Sequence, residues 1–125
     1  MELYTVALYN WRSAEVKGIP VINTTIKTGD KRLAPNWNFL TLYQKGTIDE
    51  DEYTRRFYAK MRWSYHKHRQ FWDELICKDT LALACYCKPG KFCHRHLLVD
   101  IITKIGAREG IEVLYKGELE DIIKR

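Results

Sequence analysis

The chain has 125 residues and a mass of 14.9 kDa, which excludes a second independent hydrophobic core and predicts one domain over residues 1–125. Apolar residues make up 46% and charged residues 30%, a balance that excludes a disordered chain. The net charge of +5 is spread among 16 acidic residues without a long basic run, so it favours a small anionic ligand over nucleic acid.

The first residues, MELYTVALYNW, lack a basic head followed by a long apolar stretch, and no window of the chain resembles a membrane span. We therefore expect a cytoplasmic protein without a membrane partner. In that compartment the four cysteines are expected to be thiols, metal ligands or buried small residues rather than disulfides.

The N-terminal third predicts two strands. Residues 3–9 (LYTVALY) and 20–26 (PVINTTI) are rich in β-branched and aromatic side chains. A loop with one helical turn is expected between them. Residues 26–37 (IKTGDKRLAPNW) are polar and basic, which predicts a mobile loop.

From Pro35 the pattern becomes helical, and a long helix is predicted to begin near Thr47. Thr47 would be its N-cap, with Glu50 three residues later. The inner stripe of this helix is predicted to comprise Tyr53, Phe57 and Met61, and to continue through Phe71, Trp72, Leu75 and Ile76.

The C-terminal half predicts a buried strand, a helix and a last strand. Residues 81–87 (LALACYC) are almost wholly apolar, as in a central strand covered on both faces. Apolar residues then recur at helical spacing from 93 to 106, and residues 111–115 suggest a strand. Strands separated by helices predict an α/β fold with a mainly parallel sheet of about four strands, sandwiched by helices in three layers.

Ligands of parallel α/β sheets bind beyond the carboxyl ends of the strands. Three segments rich in polar and aromatic side chains are predicted to meet there. They contribute the candidate ligand-binding residues Asn10, Trp11, Arg12, Thr25, Lys27, Lys31 and Arg32, together with the motif CYCKPGKFCHR at residues 85–95.

The first interpretation of the motif is a phosphate-binding turn that carries a reactive thiol. Free amides at a helix start attract anions, Gly90 allows a phosphate to approach the backbone, and Arg95 and Lys88 would add charged donors. The same field would lower the pKa of Cys93. Core packing at the strand–helix junction is the competing interpretation of Cys93.

Zinc is a second interpretation of the motif, with Cys85, Cys87, Cys93 and either His94 or His96 as ligands. The usual spacing of two residues between paired cysteines is missing, so core packing of Cys85 and Cys87 is favoured over a metal. A phosphatase-type loop would need an arginine at position 99, which is Val99.

Exposed aromatic rings near the same edge could stack on a nucleotide base. The candidates are Tyr9, Trp11, Trp37, Tyr86 and Phe92, and ordinary packing is the alternative for each of them.

Two stretches resemble domain-of-unknown-function family four-eight-eight, a group of small bacterial and phage proteins. LAPNWNFLTLYQKGTIDEDEYTRRF is similar to the middle of that family, and LALACYCKPGKFCHRHLLVDII is similar to its strand, turn and Cys-His-Arg helix. The resemblance covers residues 1–117 and implies a compact Rossmann-like fold.

Carried over by position, the resemblance implies a site at Cys93, His94 and Arg95. Pro89 and Gly90 would lie in the turn, and Pro35 and Trp37 in the facing loop. Many relatives carry Glu where this chain has Cys87, and a second uncharacterised group pairs a Cys-Trp-Cys strand end with a Pro-x-x-Cys-His turn. Because of the similarity to this second group, zinc stays an alternative cofactor.

These features predict a protein that binds a nucleotide or ADP-ribose-like molecule and has no resident cofactor. Phage relatives suggest a further hypothesis, that it sequesters a bacterial immune signal in the host cytoplasm, with a pocket that a homo-oligomer could complete. The first alternative is an enzyme that cleaves a phosphate or glycosidic bond, with Cys93 as nucleophile and His94 as acid or base. The second is a zinc-stabilised interaction module that binds nucleic acid or protein.

Overall fold

The fold is a parallel α/β sheet flanked by helices, seen in a computed structural model that describes residues 1–87 and 92–119. The strands are β1 (Glu2–Ala7), β2 (Val21–Asn23), β3 (Thr80–Cys85) and β4 (Leu114–Leu119). The helices are α1 (Trp11–Val16), α2 (Trp37–Gln44), α3 (Glu50–Lys67), α4 (Arg69–Ile76) and α5 (His94–Arg108), and a 3-10 turn spans Leu8–Asn10. None of the described helices is long and apolar enough to cross a bilayer.

The sheet order is β2-β3-β1-β4, and every pair of neighbouring strands is parallel. The chemistry of β3 explains its central place, because all of its residues after Thr80 are buried. Alternate residues serve the two faces: Leu81 and Leu83 pack with the cluster that contains α3, α4 and α5, and Ala82 and Ala84 pack with α1. The predicted four-stranded, Rossmann-like sandwich is confirmed.

The two predicted N-terminal strands are shorter than their sequence patterns indicate. β1 ends at Ala7, where the chain enters the 3-10 turn, and a helix, α1, follows it. β2 ends at Asn23, whose side-chain oxygen accepts a hydrogen bond from the Thr25 amide (2.9 Å). This local turn offers the backbone an alternative to the sheet ladder, so the predicted extension to residue 26 is wrong.

The long loop between β2 and α2 is anchored instead of mobile. Leu33 and Ala34 are fully buried. Lys60 on α3 donates to the carbonyl of Lys31 (3.2 Å), and its neighbour on the same helix, Ser64, donates to that of Arg32 (2.7 Å). The loop is therefore held against α3 through its backbone.

The long helix differs from the prediction at its start and in its middle. Asp49, not Thr47, is the N-cap, because its carboxylate accepts from the Glu52 amide at 2.8 Å. His68 leaves the helical conformation (φ −122°, ψ 48°) and separates α3 from α4. The predicted inner stripe at Tyr53, Phe57 and Met61 is buried as expected.

The last strand was predicted too early. Residues 111–113 precede β4 and pack on the end of α5, where a Cβ on Gly106 would lie only 2.6 Å from Val113 Cγ2 and 2.7 Å from the Ile111 carbonyl oxygen. The missing side chain of Gly106 lets residues 111–113 pack closely against the end of α5. The strand itself begins at Leu114. β4 therefore reaches Glu118, which the sequence pattern left outside the sheet.

Ser64 should be a sensitive point of the fold. Its buried hydroxyl donates to the Arg32 carbonyl and accepts from Trp72 Nε1 (3.1 Å), so Ser64→Ala leaves two buried groups unsatisfied. We expect the free energy of unfolding to fall by about 2–4 kcal/mol in urea denaturation. Thr54→Ala, on the same helix but at an exposed hydrogen bond, should change it by less than about 0.5 kcal/mol. Equal losses would contradict this role of Ser64.

Candidate functional site

A cavity of about 530 Å³ opens beyond the carboxyl ends of β2 and β3. Parallel strands bring their carboxyl ends to one edge, and the loop before α2 forms the facing wall. The lining residues are Thr25, Ile26, Lys27, Pro35, Trp37, Leu40, Gln44, Cys85, Tyr86, Cys87 and His94.

Three cysteines gather on one side of this cavity, and we call Cys85, Cys87 and Cys93 the thiol cluster. Cys85 ends β3 on the face that carries Leu81 and Leu83, which directs its sulfur toward α5. Cys93 is the residue immediately before α5, and Cys87 hydrogen-bonds with both other cysteines. Cys85 and Cys93 are buried, whereas Cys87 is half-buried and lines the cavity.

Arg95 lies behind the thiol cluster and is fully buried. One terminal nitrogen, Nη1, is 2.8 Å from Cys85 Sγ and 2.8 Å from the Cys87 carbonyl oxygen. The opposite side of the guanidinium meets the Glu118 carboxylate, with Nη2 3.1 Å and Nε 3.4 Å away. A buried guanidinium needs such partners, so Arg95 points into the protein and not out toward a ligand phosphate.

The thiol cluster favours one thiolate and opposes a second. Hydrogen bonds from Cys85 and Cys93, helped by the positive charge of Arg95, lower the pKa of Cys87 to about 3. The pKa of Cys93 is raised, because its neighbours Cys85 and Cys87 hydrogen-bond with it and because it is buried. The helix-start argument predicted the opposite direction for Cys93. Since interacting sites titrate as a unit, the lowered pKa of Cys87 and the raised pKa of Cys93 belong to the cluster as a whole.

His94 has a defined tautomer. Its Nε2 lies 2.8 Å from the Thr24 carbonyl oxygen, which can only accept, so Nε2 carries the proton. The other nitrogen, Nδ1, is then unprotonated and faces Cys93 Sγ at 3.7 Å. Burial lowers the pKa of His94, which keeps the ring neutral near pH 7. Nδ1 is therefore available as a proton acceptor or as a metal ligand.

A zinc ion would find suitable ligands here. Cys85, Cys93 and His94 each offer one ligand atom within 4.8 Å of the others, and thiolate sulfur and imidazole nitrogen are the atoms that zinc prefers. The hydrogen bond from His94 Nε2 to a carbonyl is also the support that ligating histidines normally have. Against a metal, Arg95 already supplies positive charge at Cys85 Sγ. The donor set fits zinc, whereas the charge balance favours a metal-free thiolate.

The structure brings some of the predicted ligand-binding residues together and separates others. Thr25, Lys27, Trp37 and Tyr86 line the cavity. The cavity lining does not include Asn10, Trp11 or Arg12, which follow β1. The guanidinium of Arg12 lies over the ring of Trp11 instead.

Other predicted residues serve the fold or lie outside the description. Arg32 pairs with Asp30 and stacks on Phe71, and Lys31 offers its carbonyl to Lys60. Phe92 packs on Tyr43 and Tyr53. Lys88, Pro89 and Gly90 lie outside the described residues.

Sequence reasoning missed Glu118 and Thr24, which hold Arg95 and His94 in place. The expected last strand ended before Glu118, and the expected second strand included Thr24 as an ordinary strand residue. Hydrophobic patterns report burial and not the partner of a buried charge, so only the strand register could have revealed these contacts.

A family model described as the active DUF488-N3 subclade matches residues 14–106, which include the thiol cluster and the cavity lining. The chain belongs to the DUF488-N3 family. The predicted resemblance is thereby confirmed. Comparison of this DUF488-N3 protein with curated proteins and with solved structures gives no match. Glu118, the counterion of Arg95, lies beyond the matched segment.

The thiol cluster should be alkylated by iodoacetamide at a rate that changes little between about pH 5 and pH 8, because the pKa of Cys87 is about 3. An ordinary thiol has a pKa near 8.5 and loses about tenfold in reactive thiolate for each pH unit below that value. The measurement uses mass spectrometry on Cys77→Ser protein, which lacks the exposed fourth thiol. Free cysteine serves as the reference, and an equally steep pH dependence in both would exclude the thiolate.

Proposed function

We propose that this protein is a thiolate-dependent enzyme that acts on a phosphate or glycosidic bond of a nucleotide-like substrate bound in the cavity. One observation carries the proposal: the fully buried guanidinium of Arg95 lies 2.8 Å from Cys85 Sγ, inside a cluster of three thiols at the cavity wall. A positive charge directed at sulfur stabilises the nucleophilic form of a thiol. The description of the matched subclade as active also supports an enzyme.

The cavity suits a nucleotide in size and in chemistry. Ligand sites of roughly 300–1,000 Å³ are usual for small molecules, and this cavity has about 530 Å³. Trp37 and Tyr86 are 48% and 59% exposed, so their rings can stack on a base without displacing the core. Lys27, also exposed, supplies a cation for a phosphate group.

The cavity-facing sulfur of Cys87 is the better candidate nucleophile, and this changes the role given to Cys93. Cys93 is buried and its pKa is raised, so it carries a proton beside the unprotonated Nδ1 of His94. In this arrangement Cys93 and His94 form a proton-transfer pair. Arg95 keeps the charge on the cluster and is a positioning residue, without contact to substrate.

The same cavity supports a second proposal, that the protein binds a nucleotide or ADP-ribose-like molecule without changing it. Exposed aromatic rings and Lys27 at the opening are sufficient for binding and do not require the thiol cluster. A phage protein that sequesters a bacterial immune signal, alone or as a homo-oligomer, would need only this part of the site. Recovery of intact ligand after denaturation distinguishes sequestration from turnover.

Turnover should depend on the thiol cluster. We would incubate the protein with nucleoside diphosphates, ADP-ribose and cyclic nucleotides and follow products by liquid chromatography and mass spectrometry. Cys87→Ser should lower turnover by at least about 10³-fold, because a neutral hydroxyl replaces a thiolate. Cys77→Ser, at an exposed thiol elsewhere, is the matched control and should keep full activity.

The outcome for Cys93→Ser separates the two nucleophile assignments. If Cys93 only transfers protons, its loss should leave residual turnover with an altered pH profile. Turnover abolished by Cys93→Ser but kept by Cys87→Ser would restore Cys93 as the nucleophile. Ligand bound by all variants and returned intact by the native protein would favour sequestration.

A zinc-stabilised module is the third candidate, because Cys85, Cys93 and His94 have ligand atoms within 4.8 Å of one another. For the metal-free thiolate we expect less than about 0.1 zinc per chain by elemental analysis and a melting temperature that a chelator does not change. Stoichiometric zinc with chelator-induced unfolding would instead establish the metal module and exclude a free thiolate nucleophile.

A further inference from the structure

Basic residues are concentrated in the middle of the chain, mostly on helix α3. Between Tyr53 and Trp72 the sequence contains no Asp or Glu. It contains six basic residues, Arg55, Arg56, Lys60, Arg62, Lys67 and Arg69. Most of this stretch forms α3, so residues that are scattered in the sequence are collected along one element.

One side of α3 carries a stripe that we call the α3 stripe: Arg56, Lys60, Trp63 and Lys67. Their spacing of four, seven and eleven residues places them on one side of a helix. The stripe is about 16 Å long at 1.5 Å per residue. The first three line a groove of about 490 Å³ together with Asn36, Asn38 and Arg55.

The cations of the α3 stripe and its groove are only partly neutralised. Glu52 holds Arg55 and Arg56, but it reaches Arg56 through Nε alone, so both terminal nitrogens of Arg56 lack a partner within the described residues. The side chain of Lys67 has no partner in that part of the chain either. Lys60 is committed to the anchored loop and contributes its charge alone.

Trp63 adds a flat apolar surface between these charges. It is 56% exposed, and its ring meets the edge of His68 at 5.9 Å. A tryptophan between cations is the combination that single-stranded nucleic acid uses, because bases stack on the ring while the cations contact successive phosphates. Duplex nucleic acid keeps the faces of its bases covered, and an acidic peptide has no flat ring at each unit.

We propose that the α3 stripe and its groove bind the backbone and one base of a single-stranded nucleic acid. The sequence alone favoured a small anionic ligand because no long basic run was visible, whereas the helix brings separated cations together. Arg56 and Lys67 contact phosphates, and Trp63 stacks on a base between them.

The groove and the cavity share the start of α2. Asn36 and Asn38 line the groove, and Trp37 between them lines the cavity. A strand that left the groove over this turn would enter the cavity that Cys85 and Cys87 line, which would make one of its nucleotide units the substrate. That step rests on the proposed function, whereas binding by the α3 stripe does not.

The test is fluorescence anisotropy of labelled single-stranded DNA and RNA of about 12 nucleotides, within the usual site sizes of such proteins. With phosphate contacts from Arg56 and Lys67, the logarithm of affinity should fall with the logarithm of salt concentration with a slope of about −1.4. Binding of either strand supports the proposal, and the tighter one identifies the natural class. No binding at low salt, or equal affinity for a duplex, would overturn it.

Variants locate the contact. Trp63→Ala, Arg56→Ala and Lys67→Ala should each weaken binding by at least about fivefold, and Trp63→Phe should recover part of the loss because it keeps a stacking ring. Lys17→Ala is the charge-matched control, since it is exposed at the end of α1 on the opposite face of the sheet. Equal losses from Lys17→Ala would show a general charge effect and refute the site.

Two further controls separate folding and chemistry from binding. The melting temperature of each variant shows that lost affinity is not lost structure, and exposure of Trp63 makes its replacement tolerable. Protein with Cys77→Ser, at an exposed thiol that lines neither the groove nor the cavity, should bind the strand like the native protein. If the native protein binds the strand but shows no turnover, the proposed enzyme fails while the nucleic-acid site stands.

Discussion

The burial of one guanidinium is the constraint on which this molecule depends. Arg95 is fully buried, and a charge removed from water is tolerated only when its donors are satisfied. Three elements supply the partners: the end of β3 through Cys85, the residues after it through the Cys87 carbonyl, and β4 through Glu118. The geometry of the thiol cluster and the docking of the last strand are therefore parts of one arrangement.

The same constraint explains why Arg95 faces the thiol cluster and Glu118 and does not line the cavity. Burial acts to lower the pKa of Arg95, but its interactions with Cys85, Cys93 and the Glu118 carboxylate raise that pKa more strongly. The guanidinium thus stays charged and favours a thiolate beside it. Trp37, Tyr86 and Lys27 line the cavity and are exposed to solvent. In the proposed function, reactivity and ligand contact therefore belong to different residues.

Sequence reasoning captured the features that depend on local pattern. The apolar run at β3, the periodic burial of Tyr53, Phe57 and Met61, and the parallel order all follow from hydrophobic periodicity and chain connectivity. Within the candidate site, the strand-end rule brought Thr25, Lys27 and Trp37 to one cavity. The direction in which Arg95 points could not be predicted in this way, because a sequence does not show whether a cation faces water or a partly buried carboxylate 23 positions later.

The position of Glu118 in chain order has a consequence for how the protein is made. A chain emerging from the ribosome completes β3 and α5 before β4, so Arg95 is without its carboxylate partner until the last described strand is synthesised. Until then the guanidinium gains more from staying in water than from entering the core. Complete assembly of the thiol cluster around Arg95 therefore requires β4, the last described strand.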